Sequence, residues 1–280
     1  MANKLKTVIS ASRRSDIPAY YLGWFIEKIK SGYVDVENPF NPKQISRINL
    51  LPDITEWIVF WSRDYSKFIR RKDFFLDYNL YFHFTINSEN SLLSPNPPVL
   101  KEDAFKQAEE LCKNYSQERV MWRFDPVFFY NNTSNYSKSD FKDMCRNLSG
   151  AGVLSCTTSF ASPYKKTEER IRNRGLKIEV NNPSNEKKAR ILNEMQECCS
   201  RYGIKLYLCS NADIGIPEGV LRAGCINADL LNTLSDNKVS TAVHKTRPGC
   251  GCTKSFDIGS YNYHPCKTGC LYCYANKSNA

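Results

Sequence analysis

The sequence predicts an α/β fold: a complete or partial (β/α) barrel whose cysteine-rich, metal-binding C-terminal tail folds over the strand ends. Short apolar runs alternate with helical stretches from Thr7 to Cys209, which implies a mostly parallel sheet. Seven candidate strands fall in that span with no linker between them, and cysteines crowd the end of the chain. A doubly wound open sheet is the runner-up, because it has the same alternation. Residues 1–213 form the barrel-like part and 214–280 an extension within the same globular unit.

Thr7 to Ser12 (TVISAS) is the first strand. Asp16 and Pro18 are N-terminal helix signals for Ala19 to Lys30, whose Tyr20, Tyr21, Trp24, Phe25 and Ile29 are available for packing. Further strands are expected at Tyr33 to Val36, Ile58 to Trp61, Leu80 to Ile86, Arg119 to Phe124, Gly152 to Thr158 and Lys205 to Cys209. Helices are expected near 103–113, 139–148 and 185–202, and the proline-rich stretch Leu93 to Leu100 reads as a surface loop. From Ile214 the pattern gives way to turns, a helix near 220–232 and the tail, an appendage folded around metal.

A hydrophobic content of 41% over 280 residues supports an ordinary core. MANKLKTVIS lacks the apolar stretch of a signal peptide, and no segment approaches the roughly 20 apolar residues of a membrane span. The expected location is therefore cytoplasmic, with no membrane partner, and the 12 cysteines are expected to be thiols or metal ligands rather than disulfides. Cys112, Cys145 and Cys199 fall on helical apolar stripes and read as core, as does Cys198. Cys156, Cys209, Cys225, Cys250 and Cys252 lie in strand ends or loops and are candidates for a second metal site, with Cys209, Cys225, Cys250 and Cys252 as the four that would complete it.

The net charge of +10 invites a polyanionic partner, nucleic acid or a phosphorylated small molecule. Lys67, Arg70, Arg71 and Lys72 form one basic cluster, and Lys165, Lys166, Arg170, Arg172, Arg174 and Lys177 another. A solvated, salt-bridged helix face explains the second without any ligand.

In a parallel barrel the chemistry sits at the carboxyl ends of the strands. There, Arg13, Arg14 and Arg123 are suited to grip carboxylate or phosphate, and Asp16 or Asp125 to hold a ribose hydroxyl or accept a proton. Thr157 and Ser159 stand at the same level as candidate cofactor contacts. The structural alternatives are that Asp16 only caps a helix, that Arg123 and Asp125 form a buried ion pair, and that His83 is a core histidine.

The tail carries Cys266-Lys-Thr-Gly-Cys270-Leu-Tyr-Cys273. Gly269 lets such a loop turn sharply and place three thiolates on three corners of a 4Fe-4S cubane, with the fourth iron open. Zinc with His264 or Cys252 as fourth ligand is the alternative. Cys266, Cys270, Tyr272 and Cys273 match the signature of the radical S-adenosylmethionine (SAM) enzymes, and the segment resembles it. In those enzymes SAM is the fourth ligand.

Longer stretches resemble a bacterial family, domain of unknown function 1848: Ser10 to Pro18, Asn38 to Asn41, Val59 to Trp61, Trp122 to Pro126, Cys250 to Cys252, Asp257 to Gly259 and Cys266 to Asn276. The resemblance implies an enzyme that cleaves SAM reductively, draws on an electron donor and does radical chemistry on an unknown substrate. It also implies a tail that runs back across the barrel mouth, because the usual cluster position after the first strand is taken here by Arg13 to Asp16. The rival is a non-enzymatic nucleic-acid-binding protein with structural zinc.

Overall fold

The computed structural model describes residues 5–162, 164–244 and 249–275. The first four residues of the N-terminus and Asn276, the end of the tail match, lie outside them.

The first strand, β1 (Thr7–Ala11), leads into α1 (Ile17–Tyr20) and α2 (Leu22–Ser31). The expected single helix is thus broken at Tyr21, and α2 ends where Gly32 takes φ +76°, the left-handed region a glycine enters without strain. An antiparallel hairpin follows, β2 (Tyr33–Asn38) with β3 (Asn41–Asn49). Then come β4 (Thr55–Ser62), α3 (Ser66–Ile69), β5 (Asn79–Thr85), α4 (Lys101–Tyr115) and β6 (Val120–Val127). A two-residue hairpin, β7 (Phe129–Tyr130) and β8 (Thr133–Ser134), precedes α5 (Lys138–Gly150) and β9 (Ser155–Phe160). The chain continues through α6 (Lys165–Asn173), α7 (Asn185–Arg201), β10 (Lys205–Leu208), β11 (Leu221–Arg222), α8 (Ala228–Thr233) and β12 (Phe256–Asp257).

Eight strands make one sheet in the order β11-β10-β9-β6-β5-β4-β1-β12, every neighbouring pair parallel. Each strand lies beside its predecessor in the sheet, and β12 returns to β1, which is the strand order of a (β/α) barrel. The barrel is nevertheless not closed, because among the described residues no ladder joins β11 to β12. The expectation of a complete barrel is corrected accordingly. Expected strand Tyr33–Val36 lies outside this sheet. It alternates polar residues outward, and its partner β3 is exposed along nearly its whole length, whereas a central parallel strand is buried on both faces. The extension is more than an appendage, since β11 and β12 are strands of the main sheet.

Side-chain alternation divides the sheet. One face buries Ile9, Ile58, Phe60, Phe82 and Trp122 against Phe25, Leu111, Phe141 and Met195 of the helices. Cys145, Cys156 and Cys199 lie in this layer, so Cys156 is a core residue and not a ligand candidate. The other face is apolar at the amino end of the strands, where Val8, Trp57, Tyr81 and Met121 pack under Ala228 and Leu231 of α8. Two residues further along β1, β5 and β6, that face becomes polar with Ser10, His83 and Arg123, while Val59 keeps it apolar on β4.

The open edge is seamed by irregular contacts. Thr253 N–H donates to Ile226 O at 2.9 Å, and Gly224 lies so close to the next segment that a Cβ there would sit 2.4 Å from Gly251 O. Gly224→Ala should therefore force the two backbones apart and lower the unfolding free energy by about 1–3 kcal/mol, read by chemical denaturation. Unchanged stability would mean that this contact does not hold the seam.

Candidate functional site

The tail reaches the mouth of the sheet through β12. Ser10 pairs with Asp257, whose carboxylate accepts from Ser10 Oγ (2.8 Å), Ser12 Oγ (2.5 Å), Arg13 N–H (2.9 Å) and Gly259 N–H (3.0 Å). Arg13 Nε and Arg14 Nε stand 3.6 and 3.8 Å from it. Arg14 also donates to Gly259 O at 3.0 Å, and Tyr274 Oη donates to Arg13 O at 2.9 Å. Both ends of the chain are thereby joined at the carboxyl edge of the strands.

The Cys266–Cys273 loop follows. Gly269 takes φ +68° and Cys273 N–H returns to Cys270 O at 3.2 Å, closing the turn. Leu271 N–H donates to Leu93 O at 2.8 Å, so the start of the expected surface loop is buried beneath the tail. Tyr272 packs on Phe128, and its hydroxyl accepts from Asn87 Nδ2 at 3.1 Å; the same Asn87 accepts Asp125 N–H through Oδ1 at 2.9 Å. Arg63 Nη1 lies 3.2 Å from Cys270 Sγ and donates to Ser94 Oγ at 2.8 Å. Burial opposes the Arg63 charge, but Cys270 and Tyr272 outweigh it and raise its pKa. Burial pushes the Cys266 thiol up to about 11.

Arg170 corrects the solvated-helix expectation for its cluster. It is fully buried, and its guanidinium donates to Leu271 O, to Cys270 O at 3.4 Å and to Cys273 O at 3.1 Å. A buried guanidinium on the loop's carbonyls satisfies acceptors that a tight turn leaves unpaired.

A second thiol group lies toward the open seam. Cys209 and Cys225 have their sulfurs 3.3 Å apart, and Cys252 lies within electrostatic reach of Cys225 and Cys250. Hydrogen bonds from Cys209 and Cys252, aided by Arg123, hold the Cys225 thiol well below its usual range against burial. Cys209 is raised in turn, first by its bond to Cys225 and then by burial. Arg123 donates to Cys225 Sγ at 3.2 Å and pairs with Asp125, which also accepts from Ser159 Oγ. Thr157 is the register partner of Arg123. His83 donates Nε2–H to Cys225 O at 2.6 Å and stacks on Trp61; burial and Arg123 lower its pKa to about 3, so it is a neutral core histidine.

The structure thus brings Arg13, Arg14, Arg123, Asp125, Thr157, Ser159, Tyr272 and both cysteine groups to the same end of the sheet. Arg123 and Asp125 form the ion pair named as an alternative, with further partners in Cys225 and Ser159. Asp16 lies beneath the mouth: it caps α1 through Ala19 N–H (3.0 Å) and accepts from Ser62 Oγ (2.6 Å) and Arg63 N–H (2.9 Å). In that place Asp16 fills the helix-cap alternative and positions Arg63. His264, considered as a zinc ligand, is packed on Trp24 with ring centroids 4.0 Å apart, and its Nδ1 accepts from Ser260 N–H. Among the described residues no three His, Cys, Asp or Glu side chains stand at metal-holding distances as they are. Sequence reasoning gave no site role to Arg63, Arg170 and Asp257. For Arg63, its place directly after a strand was an available signal; for Arg170 none was.

Fold and site define a parallel α/β protein with a thiol-rich, arginine-lined mouth. The family model described as domain of unknown function (DUF1848) matches residues 8–275, and the chain belongs to that family. No curated protein matches the sequence. No helix among the described residues is long and apolar enough to cross a membrane.

Two outcomes are expected. Arg170→Met strands buried carbonyls, so stability should fall by about 1–3 kcal/mol and the Leu271 and Cys273 amides should exchange faster while the strand amides do not. Uniform loosening, or none, would contradict that role. Burial raises the Asp16 carboxyl from 3.8 to about 6, so its contribution to stability is complete below pH 4 and is lost as pH rises through 6. Asp16→Asn abolishes this titration, and the deficit of the variant against wild type should narrow between pH 4 and 7 in denaturation curves; a widening deficit would reverse the sign.

Proposed function

We propose that the chain is a radical SAM-like enzyme in which Cys266, Cys270 and Cys273 hold a 4Fe-4S cluster over the mouth of the sheet. The observation that carries this is the Cys266–Cys273 loop itself: three thiols on one tight turn, laid on the strand ends, with Arg63 Nη1 3.2 Å from Cys270 Sγ. The donor set suits such a cluster, since thiolates are its usual ligands and a charged N–H donor stabilises a ligating sulfur. The thiols would turn inward on loading, on a backbone that Arg170 already holds. Reduced, the cluster supplies the electron that cleaves SAM.

The remaining work belongs to the chain. Arg13 and Arg123 offer positive charge to the SAM carboxylate or to an anionic substrate. Asp125, Thr157 and Ser159 offer acceptors and hydroxyls for ribose, while Tyr272 and Phe128 wall the loop side and exclude water. The substrate class that fits this charge is a nucleic acid or a phosphorylated small molecule, and an external electron donor is needed.

Anaerobically reconstituted protein should hold iron and sulfide and should release 5′-deoxyadenosine from SAM under reduction, seen by chromatography. Cys266→Ala, Cys270→Ala and Cys273→Ala should each abolish that product, a loss of at least tenfold. Zinc without iron in wild-type protein, or product formation undiminished in all three variants, would defeat the proposal; zinc alone would favour the structural, nucleic-acid-binding role.

A further inference from the structure

We propose that Cys209, Cys225, Cys250 and Cys252 form a second, four-thiolate metal centre at the open seam of the sheet, independent of the Cys266–Cys273 loop. The four residues come from three separate segments: just after β10, the turn after β11 and the stretch before β12. Chance packing of small apolar thiols places them in the helix-facing core, as it does Cys145, Cys156 and Cys199. These four instead gather on the polar side, toward the edge where, among the described residues, no ladder joins β11 to β12.

Cys209 and Cys225 stand 3.3 Å apart between sulfurs, and Cys252 lies within electrostatic reach of Cys225 and Cys250, so the four are neighbours though not at metal-holding distances as they are. Around a tetrahedral ion with metal–sulfur bonds of about 2.3 Å, ligand sulfurs stand about 3.8 Å apart. An ion entering among these thiols therefore needs displacements of only about half an ångström at the first pair. The backbone is shaped for this convergence. Gly224 and Gly251, each directly before a cysteine of the group, pack main chain to main chain, and a Cβ on Gly224 would sit 2.4 Å from Gly251 O. Two glycines at the crossing let Cys225 and Cys252 come side by side.

Charge agrees as well. Four thiolates around a divalent ion carry a net double negative charge, which is costly beside a buried sheet unless cations face it. Arg123 donates to Cys225 Sγ at 3.2 Å, and Arg13 stands within electrostatic reach of both Cys252 and Cys225. A centre here would tie the β10–β11 edge to the segment before β12, where among the described residues no ladder does.

The test separates the two sites. The triple Cys266→Ala, Cys270→Ala, Cys273→Ala variant, purified anaerobically, should retain about one metal equivalent or cluster per chain by elemental and sulfide analysis. Zinc without sulfide identifies a single ion, and iron with acid-labile sulfide identifies a cluster; both support the centre. Adding Cys225→Ser or Cys250→Ser should remove that metal while circular dichroism keeps the wild-type α/β spectrum. A folded triple variant with no metal, or with a Cys209–Cys225 disulfide in its place, overturns the proposal, as does metal that survives both serine substitutions. If the triple variant does not fold, the same serine substitutions in the wild-type chain should lower bound metal by the same increment, and unchanged metal overturns it. Failure of the tail cluster would show differently, as equal metal content in wild type and triple variant.

Discussion

The carboxylate of Asp257 joins the two ends of this molecule. Four donors from Ser10, Ser12, Arg13 and Gly259 converge on it, with two arginines close behind. Charge-assisted hydrogen bonds are among the strongest a protein makes, and those from Ser10, Ser12 and Arg13 join residues more than 240 positions apart. Because Asp257 sits in β12, fixing it beside Ser10 sets the register of the last strand and the direction in which the chain leaves it. The cysteine loop lies over the mouth because that exit points there.

Once delivered, the loop is held by charges that have little water around them. Arg170 spends its donors on main-chain carbonyls, Arg63 faces a sulfur and a serine, and Arg123 faces a carboxylate and a second sulfur. Each guanidinium is costly to bury alone and tolerable only with these partners in place. The arginines, loop and strand ends therefore form one interdependent layer, and loss of any partner exposes the cost of the others. This layer rests on the apolar one formed by Trp57, Tyr81, Met121 and α8, which fills the sheet below it.

Periodicity and spacing alone determined the parallel α/β class, six of the eight main strands, the principal helices, the core cysteines on α4, α5 and α7, and the tail motif. Those features are local: apolar runs, helical stripes and cysteine spacing are written over a few consecutive residues. Strand-end logic also picked out Arg13, Arg123, Asp125 and Ser159 as neighbours. What only the tertiary structure decided is of another kind. β11 and β12 are two residues each, too short to show any period, and the pairing of β12 depends on β1 at the other end of the sequence. Arg170 belongs to a helix whose sequence is dominated by charge, so nothing local separates the one buried guanidinium from its solvated neighbours. That Asp16 also reaches Ser62 and Arg63, and that cysteines from three segments meet, follows from chain segments brought together across the sheet; no short window of sequence contains these partners.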